Sequence, residues 1–155
     1  MSIRTSVGLA TVATLLLALP VWTQEKKIKR SDLPPAVEKT VVAQSAGATM
    51  RGFSQEKENG QIFYEAELTL NGHSKDILMD ANGGVVEVEE QVEIDALPAV
   101  VKEGLQAKAG KGKLLKVESL TKHGKLVAYE AQVMSAGKRS EVQVGPEGKA
   151  LAHEE

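Results

Sequence analysis

The chain has 155 residues, with 19 Lys and Arg against 21 Asp and Glu and a formal charge of −2. Its 42% hydrophobic content is too high for a disordered chain, and the balanced charge excludes a strongly basic nucleic-acid footprint. There is no cysteine and only 3% of the chain is aromatic. Thiol catalysis, thiolate metal sites and disulfide frameworks are therefore excluded.

Residues 1–23 read as an address. Arg4 is the only charge ahead of an apolar run from Val7 to Val21, which is short of the roughly 20 residues that span a bilayer. A positive start and a short apolar run predict a secretory signal cut after Thr23, and a periplasmic or secreted protein. If the segment stays uncleaved it becomes a membrane anchor. The processed chain carries 18 basic against 21 acidic residues. Residues 24–31, QEKKIKRS, are basic and poor in apolar side chains, which predicts a solvated linker.

Beyond the linker the sequence repeats itself. DLPPAVEKTVVAQSAG at 32–47 matches ALPAVVKEGLQAKAG at 96–110, FYEAEL at 63–68 matches AYEAQV at 128–133, and NGHSKDILMDANGGVV at 71–86 matches AGKRSEVQVGPEGKAL at 136–151. The expected organisation is one unit over 32–90, an acidic connector over 91–96, and a second unit over 97–155.

Each unit opens with a helix. Leu33, Val37 and Val41 in the first, and Leu97, Val101 and Leu105 in the second, recur every four residues and stripe one helical face. Pro34 and Pro98 suit the first turn, Asp32 and Asp95 suit its positive end, and Gly47 and Gly110 end the helices. Period-two strands follow. Ile62, Tyr64, Ala66, Leu68 and Leu70 alternate with Phe63, Glu65, Glu67 and Thr69, and Tyr129, Ala131 and Val133 alternate with Glu130, Gln132 and Met134. Asn71-Gly72 and Ala136-Gly137 predict hairpin turns. A weaker fourth strand is expected at Val86 and Val88, and near Leu151. The predicted fold class is α+β: two tandem repeats, each with one helix packed on a three- or four-stranded antiparallel meander sheet.

These residues resemble a known family. Leu33-Pro34 and Leu97-Pro98 ahead of a helix, Tyr64-Glu65-Ala66 and Tyr129-Glu130-Ala131 in a strand, and Asp80-Ala81-Asn82-Gly83 after a hairpin are similar to the PepSY-like repeat. That family is related by fold to the β-lactamase inhibitor protein. VEVEEQVEIDALP, at 86–98, looks like the acidic link between such repeats. The resemblance implies an exported, non-catalytic protein that binds or restrains another exported protein, such as a peptidase. The chain departs from the inhibitor in having no cysteine and few aromatic residues.

The chemistry-bearing residues point the same way. His73 and His123 fall in expected turns and His153 in the tail, and no serine sits in a Gly-x-Ser-x-Gly elbow. No catalytic residue, metal ligand set or cofactor is expected. Asp80-Ala81-Asn82-Gly83-Gly84 resembles the start of a calcium loop, but Gln91 stands where the twelfth-position glutamate belongs, so a turn is expected. Glu87, Glu89, Glu90, Glu93 and Asp95 read as a solvated strand edge. The candidate binding surface is the sheet face turned away from the helices, carrying Phe63, Glu65, Glu67, Leu78, Glu130, Gln132 and Met134. A structural role in the cell envelope, or a calcium or ligand sensor, is the alternative.

Overall fold

The computed structural model describes residues 25–153 and 155; the expected signal segment lies outside them. In chain order the elements are β1 (Lys26–Ile28), a 3-10 turn (Arg30–Asp32), α1 (Pro35–Gln44), β2 (Thr49–Glu58), β3 (Gln61–Leu70), β4 (His73–Asp80) and β5 (Val85–Val92). A second 3-10 turn (Ile94–Ala96), α2 (Ala99–Ala109), β6 (Lys113–Lys122), β7 (Lys125–Ser135) and β8 (Lys138–Val144) complete the fold. All eight strands form one antiparallel sheet in sequence order. This is an α+β protein in which the strands of both halves join into one continuous sheet, a point the sequence leaves open. Neither helix is long and apolar enough to cross a membrane.

Three boundaries differ from expectation. Residues 26–28, read as linker, pair with β2 through Lys26↔Gln55, Lys27↔Ser54 and Ile28↔Phe53. Their ladder hydrogen bonds and the packing of Ile28 on the core outweigh a polar composition. Gln91 and Val92, read as connector, close β5 against Glu118 and Val117 of β6. The expected strand near Leu151 does not form: the chain beyond Val144 turns, with the Gly145 N–H donating to the Lys149 carbonyl at 2.8 Å.

The pairings of the first half recur 64 or 65 residues later. Ile28↔Phe53 corresponds to Val92↔Val117, and Tyr64↔Met79 to Tyr129↔Val144. The register slip between Met50 and Gly52 corresponds to that between Leu114 and Lys116. Four two-residue hairpins, Asn59-Gly60, Asn71-Gly72, His123-Gly124 and Ala136-Gly137, have positive φ at both positions. That left-handed pair matches the twist of the flanking strands, and Asn-Gly adopts it at least cost.

Both helices lie on one face. Val37 and Val41 of α1 are buried with Phe53, Ala66, Leu68, Ile77 and Met79; Val101 and Leu105 of α2 are buried with Val117, Ala131 and Val144. Central strand β5 serves both clusters, giving Val85 and Val88 to the first and Val92 to the second. Tyr64 and Tyr129 pack against these clusters, as the strand parity requires. A short helix is marginal alone in water, so this docking is what holds each one.

Two glycines set the docking distance. A Cβ on Gly83 would lie 2.4 Å from the Ala36 carbonyl oxygen, and one on Gly148 would lie 1.9 Å from that of Val100. Both glycines have positive φ. The Thr40 hydroxyl secures α1 to the same turn, donating to the Gly83 carbonyl at 2.7 Å. Asp32 and Asp95 do not cap the helices. Asp32 accepts from the Lys29 N–H at 3.0 Å inside its 3-10 turn, and Asp95 pairs with Lys102 at 2.9 Å.

Candidate functional site

Helices cover one side of the sheet, and strand alternation turns a polar set to the other. On β3 and β4 the residues opposite the core are Phe63, Glu65 and Glu67, then Asp76 and Leu78. On β5 and β6 they are Glu87 and Glu89, then Glu118, Leu120 and Lys122. Glu130, Gln132 and Met134 of β7 face Gln143, Glu141 and Arg139 of β8. All seven sequence-predicted residues thus occupy the open face.

They do not form one cluster. Glu65 and Leu78 share a hollow of about 350 Å³ with Glu56, Asp76, Glu87, Glu89 and Glu155. Phe63 lies at one end of the face, in a groove with Ile62, Asp80, Val86 and His123. Gln132 borders a shallow site near the β8 edge with Arg139, Ser140 and Glu141.

The hollow is acidic by construction. Glu67, Asp76 and Glu89 stand directly opposite one another on β3, β4 and β5, and the neighbouring rung sets Glu65, Leu78 and Glu87 in line. Like charges at directly opposed positions destabilise a sheet. Partial relief comes from the rim. Arg51, displaced by the β2 irregularity, reaches Asp76 at 2.7 Å, and Lys27 pairs with Glu67. Lys116 reaches Glu118 at 2.6 Å, and the buried Ser54 hydroxyl donates to Glu65 at 2.6 Å.

Among the described residues no cation pairs with Glu89. Burial first, then the negative charges of Glu118, Glu87, Glu130 and Asp76, push its carboxyl up to about 8. The shift has the expected sign, since low dielectric and like charge both disfavour the carboxylate. Burial also raises Glu65, against the opposing Ser54 hydrogen bond, and Asp76, against the opposing Arg51 charge. Glu56 is raised by burial and by Glu65.

Asp76, Glu89 and Glu118 each bring one carboxylate oxygen within 4.8 Å of the others. This spacing would suit a hard cation. Arg51 and Lys116 already neutralise two of the three, so ion pairs account for most of the arrangement. The Asp80 loop is a turn: Asp80 Oδ1 accepts from the N–H groups of Asn82 and Gly84 at 2.8 and 2.9 Å. Such side-chain bonds to the following backbone define an Asx turn.

Sequence reasoning missed the centre of this site. Glu87 and Glu89 were expected on a solvated edge. The single sheet makes β5 a central strand and directs both into the hollow. The Val-Glu alternation at 86–89 carried the signal, but the joining of the two sheets, which decides its context, leaves no local mark. His73 was expected in a turn and instead opens β4, with Nε2 3.6 Å from Glu93.

No protein-family model and no curated protein matches the chain. Solved structures do. A BLIP-like protein from Bacteroides fragilis is similar at 19% identity and a TM-score of 0.58, covering 77% of this chain and 83% of that one. A DUF2874 family protein from Bacteroides ovatus is similar at 18% identity and 0.60, covering 77% and 84%. A provisionally designated periplasmic protein from Bacteroides eggerthii is similar at 17% identity and 0.63, covering 77% and 86%. At these identities the likeness speaks for the fold alone: the chain has a BLIP-like α+β architecture.

Proposed function

We propose that the chain is an exported, non-catalytic protein that binds another protein through the open sheet face, and that the partner presents a basic surface. The observation that carries this reading is the line of Glu67, Asp76 and Glu89 across three adjacent strands. That arrangement costs stability, and local conflicts of this kind concentrate at functional sites. A lysine- or arginine-rich surface would replace repulsion with charge-assisted hydrogen bonds. Leu78, Phe63 and Met134 give the same face apolar contact points.

Two further observations support it. The two halves have corresponding pairings, which fits an internally duplicated PepSY-like scaffold. The solved structures of like fold include a BLIP-like and a provisionally periplasmic protein, which fits export. Restraint of a peptidase follows if the basic patch borders that enzyme's cleft.

The test is titration of residues 24–155 with a lysine-rich peptide and with a glutamate-rich peptide of equal length. The lysine-rich peptide is expected to bind, to weaken steeply with salt, and to lose affinity on Glu65→Gln or Glu67→Gln. Equal binding of both peptides, or full affinity in the variants, would refute the proposed face.

A further inference from the structure

β8 closes one end of the sheet with an unbroken strand. It pairs with β7 in a single register, from Tyr129↔Val144 to Ser135↔Lys138, with no bulge. Among the described residues no strand pairs with its other edge. The opposite end of the sheet is blunter, since β1 is only three residues long. In the first half β4 holds the place of β8, and the corresponding edge is covered by β5. A regular open edge offers its N–H and C=O groups to a further strand.

The side chains decide which strand fits. Lys138, Arg139, Ser140 and Glu141 are all exposed. Arg139 and Glu141 lie on the open face beside Met134 and Gln132. Among the described residues neither forms an ion pair within the chain. Ser140 stands between them and, by strand alternation, faces the helix side.

Opposite charges on either side of Ser140 make this edge complementary to itself. A second β8 running antiparallel, with Ser140 opposite Ser140, sets each Arg139 opposite the other copy's Glu141. Lys138 then lies opposite Val142, over which its aliphatic stem can pack. Registers that keep the two faces of the sheet distinct differ by steps of two residues. One step either way sets Arg139 against Arg139 or Glu141 against Glu141, and directly opposed like charges destabilise a sheet. The pairing stops at Val142, because the Gln143 carbonyl already accepts from Lys108 Nζ of α2 at 3.0 Å.

We propose that the outer edge of β8 is a self-association site, where two copies pair their β8 strands antiparallel about Ser140. The contact is isologous, with a two-fold axis perpendicular to the sheet. It joins two eight-stranded sheets into one, keeps all the helices on one side, and sets the two acidic hollows on the other. The pairing is short, so the dimer is weak and reversible. It stands independently of the partner proposed above for the open face.

The test is sedimentation equilibrium on residues 24–155, which carry every element of the described fold. Concentrations run from about 10 μM to about 1 mM, and the wild type is expected to dimerise with a Kd on the order of 100 μM, as suits a small interface. Arg139→Glu and Glu141→Arg each turn both charge pairs repulsive, and each is expected to weaken the dimer by about 10-fold or more. An equimolar mixture of the two variants is expected to recover wild-type association, because every pair across the contact is then opposite in sign. The double variant R139E/E141R keeps the net charge and is expected to dimerise like the wild type. Both positions are exposed, and circular dichroism checks that each variant folds. A wild type that stays monomeric at about 1 mM overturns the proposal, since even a weak interface of this kind would be populated there. Single variants that associate as the wild type does would place the contact elsewhere and overturn it as well. So would a mixture that associates no better than its components.

Discussion

Glu89→Gln separates the cost of the acidic hollow from every other feature of the fold. The folded carboxyl sits at about 8 against an ordinary 4.5. Between those values the folded state holds a proton that the unfolded state has lost, so stability falls as pH rises through the window. Each tenfold difference in proton affinity between the two states corresponds to about 1.4 kcal/mol, giving an upper bound of about 5 kcal/mol. The Glu89 side chain is only partly buried, and solvent screening lowers the expected effect to about 1–3 kcal/mol. Glutamine mimics the protonated acid. The variant should match the wild type near pH 4.5 and exceed it by about 1–3 kcal/mol near pH 9. Urea denaturation at both pH values reads this directly, and the absence of cysteine removes thiol titration as a confounder. A gain of equal size at both pH values, or a less stable variant at pH 9, would falsify the electrostatic reading of the hollow.

Other parts of the architecture give independent outcomes. Gly148→Ala should destabilise the fold by about 2–4 kcal/mol in thermal or urea melts, because its Cβ would meet the Val100 carbonyl in α2 at a backbone conformation that favours glycine. Ala136→Asn should stabilise by about 0.5–1 kcal/mol, since Ala136 holds φ at 48° in a two-residue turn suited to Asn-Gly. Met79→Ala should cost about 2–5 kcal/mol, as this fully buried side chain leaves a cavity beneath α1. Arg51→Ala removes the cation at Asp76 and should destabilise more at pH 8 than at pH 5; pH-independent loss would show that Arg51 acts through packing alone.

The sequence was most informative where the physics is local. The four-residue spacing of Val37 and Val41 and of Val101 and Leu105 identified the buried helix faces. Period-two alternation around Tyr64 and Tyr129 gave the correct side of each strand, and with it the open-face position of every candidate residue. What escaped was non-local. Lys26–Ile28 forms a strand because β2 offers an unpaired edge, not because Lys-Lys-Ile favours one. Glu87 and Glu89 look solvated until β5 is paired on both sides. The Glu155 N–H donates to the Gln143 side-chain oxygen of β8 at 2.8 Å, a contact that no periodicity encodes.

The most direct test of the account is NMR shift mapping on residues 24–155 during titration with the lysine-rich peptide. The amides of Glu65, Asp76, Glu89 and Glu130 on the open face should move together and saturate at a common affinity. Movement confined to the outward surfaces of α1 and α2, or no movement at millimolar peptide, would contradict it.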